Sequence, residues 1–209
     1  MFFNAIDKQL LLLIESLSSR PEITSRFYLA GGTALALQLG HRTSVDIDLF
    51  SPVPFDAELL TTTIIELGGR VIQSEVGGVH GFVNGVKVSF LSYPYPLLRP
   101  PQTFLGLHIA PIEDIAAMKA VAISQRGAKK DFFDMYEILK TISPHDLKNL
   151  FIEKFSESRI NCYHILKSLF YFDDADQQPD PISLNDTKWE QVKSYFVDHE
   201  KGLMKELIC

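Results

Sequence analysis

The sequence predicts an α+β protein: a mixed β-sheet with helices over residues 1–110, followed by a helical bundle over residues 111–209. Two observations carry this. The stretches that alternate apolar and polar residues with the period of a strand all precede Pro111. Beyond it, apolar residues recur at helical spacing. The composition, 46% hydrophobic and 22% charged, is that of an ordinary globular chain, and 209 residues suffice for one large domain or two small ones.

In order along the chain, residues 4–19 suit an amphipathic helix, with the run Leu10 to Ile14 in its buried stripe. That run falls far short of the roughly 18–20 apolar residues a membrane span needs. It also lacks the basic flank and cleavage site of a signal peptide. Arg26 to Ala30 reads as a short strand entering Gly31-Gly32, and Thr33 to Leu39 as a helix stopped by Gly40. Val45 to Phe50 alternates cleanly and reads as a strand, with Val45, Ile47 and Leu49 on one face. Asp56 to Leu67 suits a helix. Strands follow at Arg70–Glu75, Val79–Val83 and Val86–Ser92, the last two joined by Asn84-Gly85, the dipeptide a two-residue type I′ hairpin prefers. The prolines of Tyr93 to Pro101 break regular structure, and Leu105 to Ile109 adds one short strand. Helices are expected at 112–125, 129–141, 144–156, 158–171 and 187–207, with the acidic segment Asp173 to Pro181 as a loop before the last. Trp189 reads as a packing anchor of that helix.

Several function classes are disfavoured. A net charge of −6 argues against a generic nucleic-acid coat protein, though not against a local basic groove. Cys162 and Cys209 are far apart and form no ligand spacing, so a reducing cytoplasm and no membrane are the expectation. His41, His80 and His108 show no zinc spacing, and neither a nucleophile elbow nor a P-loop occurs.

What remains conspicuous is a pair of carboxylates inside an apolar strand. Residues i and i+2 of a strand share a face, about 6.5–7 Å apart, so Asp46 and Asp48 face the same way. Such a pair suits Mg²⁺, which takes hard oxygen ligands and leaves its other positions to water and phosphate. Paired ions are the usual means of stabilising attacking and leaving oxygens in nucleotidyl displacement. Upstream, Gly31-Gly32 at a helix start lets backbone N–H groups approach a phosphate. Thr33 is placed to cap that helix and to offer its hydroxyl to the same phosphate. Arg42, just before the strand, has the fork to grip a phosphate or to pair with a nearby aspartate. Either motif alone is as compatible with a turn and solvated carboxylates; the ordered conjunction is specific.

The string "GGTALALQLGHRTSVDIDLF" (Gly31 to Phe50) resembles the AbiEii/AbiGii-type nucleotidyltransferase toxins of the polymerase-β-like nucleotidyltransferase superfamily. The resemblance continues through "VHGFVNGVKVSFLSYPYPLL" (Val79 to Leu98) and "IEDIAAMKAVAISQRGAKKDFFDMYEILK" (Ile112 to Lys140). It implies a nucleotidyltransferase core over residues 1–110 and a helical domain over 111–209 that completes the cleft. It also implies transfer of an NMP from an NTP, with Mg²⁺ or Mn²⁺ at Asp46 and Asp48, and triphosphate at Gly31, Gly32 and Thr33. The acceptor in related proteins can be the 3′ end of tRNA, so tRNA or another RNA is one implied acceptor, which sequence does not separate from a protein or a small molecule such as an aminoglycoside, and an antitoxin protein is an implied partner.

A second cluster follows. Lys119 and Arg126 lie seven residues apart on one helical face, and Lys129, Lys130, Asp131 and Asp134 follow at the start of the next helix. By spacing alone this is a solvated face with local ion pairs. The resemblance instead places Lys119, Lys129 and Asp131 in the active site, with Asp134 beside them. One departure concerns the third carboxylate that the superfamily generally carries on a neighbouring strand. In "NGVKVSFLSYP" its place is taken by Ser89. Either another acid, Asp131 or Glu75, serves instead, or the chain is a catalytically reduced nucleotide-binding or interaction module.

Overall fold

The computed structural model describes residues 1–156 and 162–207. After a 3-10 turn at Phe3–Ala5, α1 (Lys8–Ser18) buries Leu10, Leu13, Ile14 and Leu17. This is the 3-and-4 spacing of one helical face, each side chain stabilising the fold by about 1.5–3 kcal/mol relative to exposure. Asp7 caps it by accepting from the Leu10 N–H at 2.8 Å. A short turn of helix, α2 (Pro21–Thr24), leads into β1 (Tyr28–Ala30), and α3 (Gly31–Leu39) starts at once. It ends on Gly40 with φ of +65°, the left-handed stop a glycine allows. Then come β2 (Asp46–Ser51), α4 (Ala57–Glu66), β3 (Arg70–Glu75), β4 (Gly78–Val83), β5 (Val86–Ser92), β6 (Gln102–Phe104) and β7 (Leu107–Ile109).

The strands form one mixed sheet in the order β3-β4-β5-β2-β1-β7-β6. β2 lies at its centre, parallel to β5 and antiparallel to β1. Ile47 and Leu49 are fully buried while Asp46, Asp48 and Phe50 are half-buried on the opposite face. The predicted alternation holds from Asp46 onward. Val45 does not share the core face, because it precedes the strand and stands exposed. Asn84 and Gly85 both have positive φ, as the hairpin turn requires. β6, which sequence reading left out, pairs with β7 through Leu105-Gly106, both also at positive φ.

The remaining chain is helical: α5 (Ile112–Arg126), α6 (Lys129–Leu139), α7 (Pro144–Phe155), α8 (Cys162–Ser168), α9 (Asp173–Asp176) and α10 (Trp189–Leu207). The start of the helix expected at 158, the Cys162 side chain and Cys209 lie outside the described residues. Trp189 is buried among Phe132, Phe133 and Phe172, its indole N–H donating to Asp176 at 2.6 Å. The acidic segment is not a free loop. It forms α9 and then a strap in which Thr43 N–H donates to Ile182 and Leu184 N–H to His41, both at 2.9 Å. The strap ties the C-terminal third to the turn before β2. Among the described residues, no helix is long and apolar enough to cross a membrane.

Candidate active site

The central face of the sheet and α5 enclose a cleft of about 340 Å³. Gly31, Gly32 and Thr33 enter from the start of α3, Asp46 and Asp48 from β2, Lys87 from β5, and Arg126 and Lys130 from the helical half. Strand register explains the grouping. Paired residues in a sheet project to the same side, and the register places Ala30, Asp48, Ser89 and His80 in one row across four strands, with Asp46 beside Lys87 in the next.

The two aspartates differ in their surroundings. The Asp48 carboxylate makes no hydrogen bond or ion pair with any described residue; the Arg126 charge acts on it, and it lies against Gly31. The Asp46 carboxylate meets the exposed Lys130 ammonium at 3.4 Å, and the Arg42 charge acts on it from the scaffold. Both are hard oxygen donors on one wall of a cleft, which is the chemistry a Mg²⁺ or Mn²⁺ ion selects. No third His, Cys, Asp or Glu joins them among the described residues. The residues present therefore fit a divalent ion whose other positions are filled by phosphate and water.

The glycines are required by packing. Gly31 has φ of +68°, and a Cβ there would sit 3.1 Å from an Asp48 carboxylate oxygen. A Cβ on Gly32 would sit 2.4 Å from an Arg42 guanidinium nitrogen. Gly32→Ala is therefore expected to push Arg42 off its partner and cost about 1–3 kcal/mol, read as a lower thermal midpoint. No side chain caps α3, so its first N–H groups have no partner within the helix and are free for an anion. Thr33 is not the cap. It is the third helical residue, and its hydroxyl donates to the Asp46 carbonyl while pairing with Ser44. Its role is to fix the start of β2 against α3.

Arg42 resolves to its second alternative. It is buried and grips Asp134 bidentately, Nε to Oδ1 at 2.7 Å and Nη2 to Oδ2 at 2.8 Å, so it is spent on the scaffold. Lys119 lines the cleft, but its ammonium lies 2.7 Å from Asp131 and 2.5 Å from Asp134. Asp131 is fully buried and also held by Arg126 at 2.6 Å. It lies off the cleft. Lys129 lies outside as well: its ammonium pairs with Asp180 at 2.8 Å and faces the Trp189 ring. Helical spacing explains the difference, since Lys129 shares a stripe with Phe132, Phe133 and Tyr136, whereas Lys130 faces the cleft. Sequence reasoning also missed Lys87. Its place between Val86 and Val88 marks it as opposite the core, but only the pairing with β2 puts it beside Asp46.

Neither substitute for the missing third acid is in place. Glu75 lies on the edge strand, three strands from β2 or about 14 Å. For Asp131, burial alone would raise the pKa. The Lys119 charge and the Arg126 hydrogen bond outweigh it, against repulsion from Asp134, and hold it below the ordinary carboxylate value. A group so depressed is a poor proton acceptor at neutral pH. Asp134 lies lower still. Its burial is outweighed by the Arg42 and Lys119 charges and by hydrogen bonds from His41 and Arg42.

These two buried carboxylates contribute to the acid stability, with Glu137, Glu153 and Asp176 shifted in the same direction. The folded pKa values of Asp131 and Asp134 lie below the unfolded value of about 3.9, so their contribution is fully present above pH 4. It is lost as pH falls from there through the folded values, where the unfolded chain binds more protons. Unfolding midpoints should be level in this respect between pH 5 and 7 and fall steeply below pH 4. A midpoint unchanged down to pH 3 would contradict the assignment.

The likeness of this chain to known proteins is one of family and of fold. A family model described as nucleotidyl transferase AbiEii toxin, type IV TA system, matches residues 13–202. The uncharacterized protein aq_aa25 of Aquifex aeolicus (strain VF5) is 40% identical over 182 residues, covering 83% of this chain and 86% of its own. MenT4, a nucleotidyltransferase toxin of Mycobacterium tuberculosis H37Rv, superposes with a TM-score of 0.56 at 16% identity, covering 95% of this chain and 91% of its own. The antibiotic-resistance factor ANT(2'')-Ia, solved with adenylyl-2''-tobramycin, gives 0.52 at 17% identity over 70% of this chain and 97% of its own. The last two share the fold of this chain. With nine-tenths of its length matched by one family model, this chain belongs to the AbiEii family of nucleotidyltransferase toxins from type IV toxin–antitoxin systems and is an enzyme of nucleotidyltransferase type.

Proposed function

We propose that the cleft transfers a nucleoside monophosphate from an NTP to a hydroxyl of an RNA acceptor, in a cell that also makes an antitoxin against it. The observation that carries this is the placement of two carboxylates, one unpaired, opposite the uncapped start of α3 in a single cleft. The N–H groups of Gly32 and Thr33 would receive the triphosphate. Lys87 and Lys130 would offset its charge, Lys130 by leaving its weak contact with Asp46. Asp46 and Asp48 would hold Mg²⁺ or Mn²⁺, which when bound supplies charge stabilisation at the α-phosphate and the departing pyrophosphate. The exposed Lys87 and Lys130, with Arg126 beside its Asp131 partner, make the cleft mouth basic, which supports an anionic substrate, nucleotide or RNA.

Ser89 favours a second reading. It is buried in register with Asp48 where a third carboxylate would act as base, and the module would then bind nucleotide without turnover. One experiment separates these. Incubation with α-labelled NTPs and total cell extract should label the RNA fraction. Label in protein or small molecules instead would contradict the RNA acceptor but uphold transfer. No label from the parent chain, with label gained on Ser89→Asp, would establish the second reading.

A further inference from the structure

In an in-line displacement the attacking oxygen arrives opposite the departing one. The proposed triphosphate site lies on the β1 side of β2, where Ala30 pairs with Asp48 and runs into Gly31. An attacking hydroxyl then comes from the other side, across β5, where Lys87 sits beside Asp46 and Ser89 beside Asp48. Both rows continue outward over the sheet. Phe82 of β4 and Arg70 of β3 extend the first, and His80 and Gln73 extend the second. With strands about 4.8 Å apart, the rows end about 14 Å from the aspartates.

This outer part of the sheet is open on the cleft side. α4 packs on the opposite face, with Ile64 against Gly81 and Thr61 bonded to Ser74 at 3.2 Å. On the cleft side Arg70, Gln73 and Lys87 stand exposed while His80 and Phe82 are half-buried, and of these only Lys87 lines the cleft itself. The charge there is largely of one sign. β4 and β5 carry no acid, and Glu75, beside Gly78 at the far end of β3, is the one carboxylate of the three strands. Neither Arg70 nor Lys87 pairs with an acid among the described residues. The Arg70 guanidinium lies over the Phe82 ring, 4.8 Å from its centre, and the two form a flat, positively charged plane.

We infer that this open face of β3 and β4 is the landing platform for a single-stranded end of the RNA acceptor. The inference rests on the proposed function above and gives its acceptor a place and a form. Lys87 stands where platform and cleft meet, Arg70 would hold a phosphate, and an unpaired base would stack on the Arg70–Phe82 plane. Unpaired RNA bases stack on aromatic rings and guanidinium planes alike, and a sheet face carrying such rings is one form in which RNA-binding modules offer them. A duplex presents no free base face, so the platform selects an unpaired end.

The test is equilibrium binding of a labelled single-stranded RNA oligonucleotide, and of a blunt RNA duplex of equal length, to the full chain with Mn²⁺ and a non-hydrolysable NTP. The single strand should bind more tightly than the duplex. Arg70→Ala alters an exposed side chain, and Phe82→Leu keeps apolar bulk but loses the ring. Each should weaken the single strand by about 5- to 150-fold. Phe82→Tyr, which keeps the ring, should bind as the parent does. In Arg70→Ala the slope of log affinity against log salt should also shrink by about 0.7, the loss of one phosphate contact. NTP affinity without RNA should be unchanged in all three. Arg70→Ala and Phe82→Leu chains that bind the strand as the parent does overturn the inference, as does a duplex bound equally well or an equal loss of NTP affinity. A parent that binds NTP but no RNA strand overturns the platform and leaves nucleotide transfer standing. A parent that binds neither overturns the proposed function itself.

Discussion

Asp48→Asn is expected to abolish nucleotidyl transfer while leaving the fold intact. The Asp48 carboxylate bonds to no described residue, so its loss removes no structural contact, and the change in stability should stay within about 0.5 kcal/mol. The amide that replaces it fills the same space beside Gly31 but carries no charge. A bound metal contributes several kcal/mol of charge stabilisation at the transition state, and each 1.4 kcal/mol is about tenfold. Transfer should therefore fall by about a hundredfold or more, measured with α-labelled NTP alongside a melting curve. Asp46→Asn should behave alike, because its structural tie is the backbone carbonyl held by Thr33, which the change preserves. Either variant keeping more than a tenth of the parent rate would remove that residue from the chemistry.

The second large effect concerns stability. Asp134 is fully buried and accepts from His41 at 2.7 Å and twice from Arg42, with Lys119 at 2.5 Å. Replacing such a network with well-packed apolar groups is often neutral, but deleting one member strands the opposite charges in the interior and costs about 3–5 kcal/mol. In Asp134→Ala the Arg42 guanidinium keeps only its bond to the Thr43 carbonyl, and Lys119 keeps Asp131. A whole domain is stable by only about 5–15 kcal/mol. For a chain of this size the thermal midpoint should drop by roughly 6–20 °C. The position of β2 should loosen as well, since Arg42 packs beneath Gly32. A midpoint within about 2 °C of the parent would mean the network contributes nothing to the fold.

Much of this architecture was legible because its signals are local. The alternation Asp46-Ile47-Asp48-Leu49 gave the strand and its two faces, Asn84-Gly85 the hairpin, and Gly40 the helix stop. The Leu105-Gly106 turn was hidden because leucine is no mark of left-handed backbone, yet Leu105 has φ of +48°. The strap at 182–184 carries no local signal at all, since its backbone bonds run to residues some 140 positions upstream. In the site, residues contributed by one element were foreseen and those defined by pairing between elements were not. Lys87 faces Asp46 only through the β2–β5 register. Arg42 and Lys119 carry charges whose fate depended on buried partners over ninety and over ten residues away. Lys129 and Lys130 were separable by helical phase, because the stripe of Phe132, Phe133 and Tyr136 claims the first and leaves the second to the cleft.

The central claim is that Asp46, Asp48 and the start of α3 form one site for a metal and a polyphosphate. A crystal of the full chain with Mn²⁺ and a non-hydrolysable NTP tests it directly, since manganese is located by its anomalous signal. The account predicts a peak in contact with both carboxylates, and phosphate oxygens on the Gly32 and Thr33 N–H groups. Nucleotide bound elsewhere, or manganese touching neither aspartate, would contradict it.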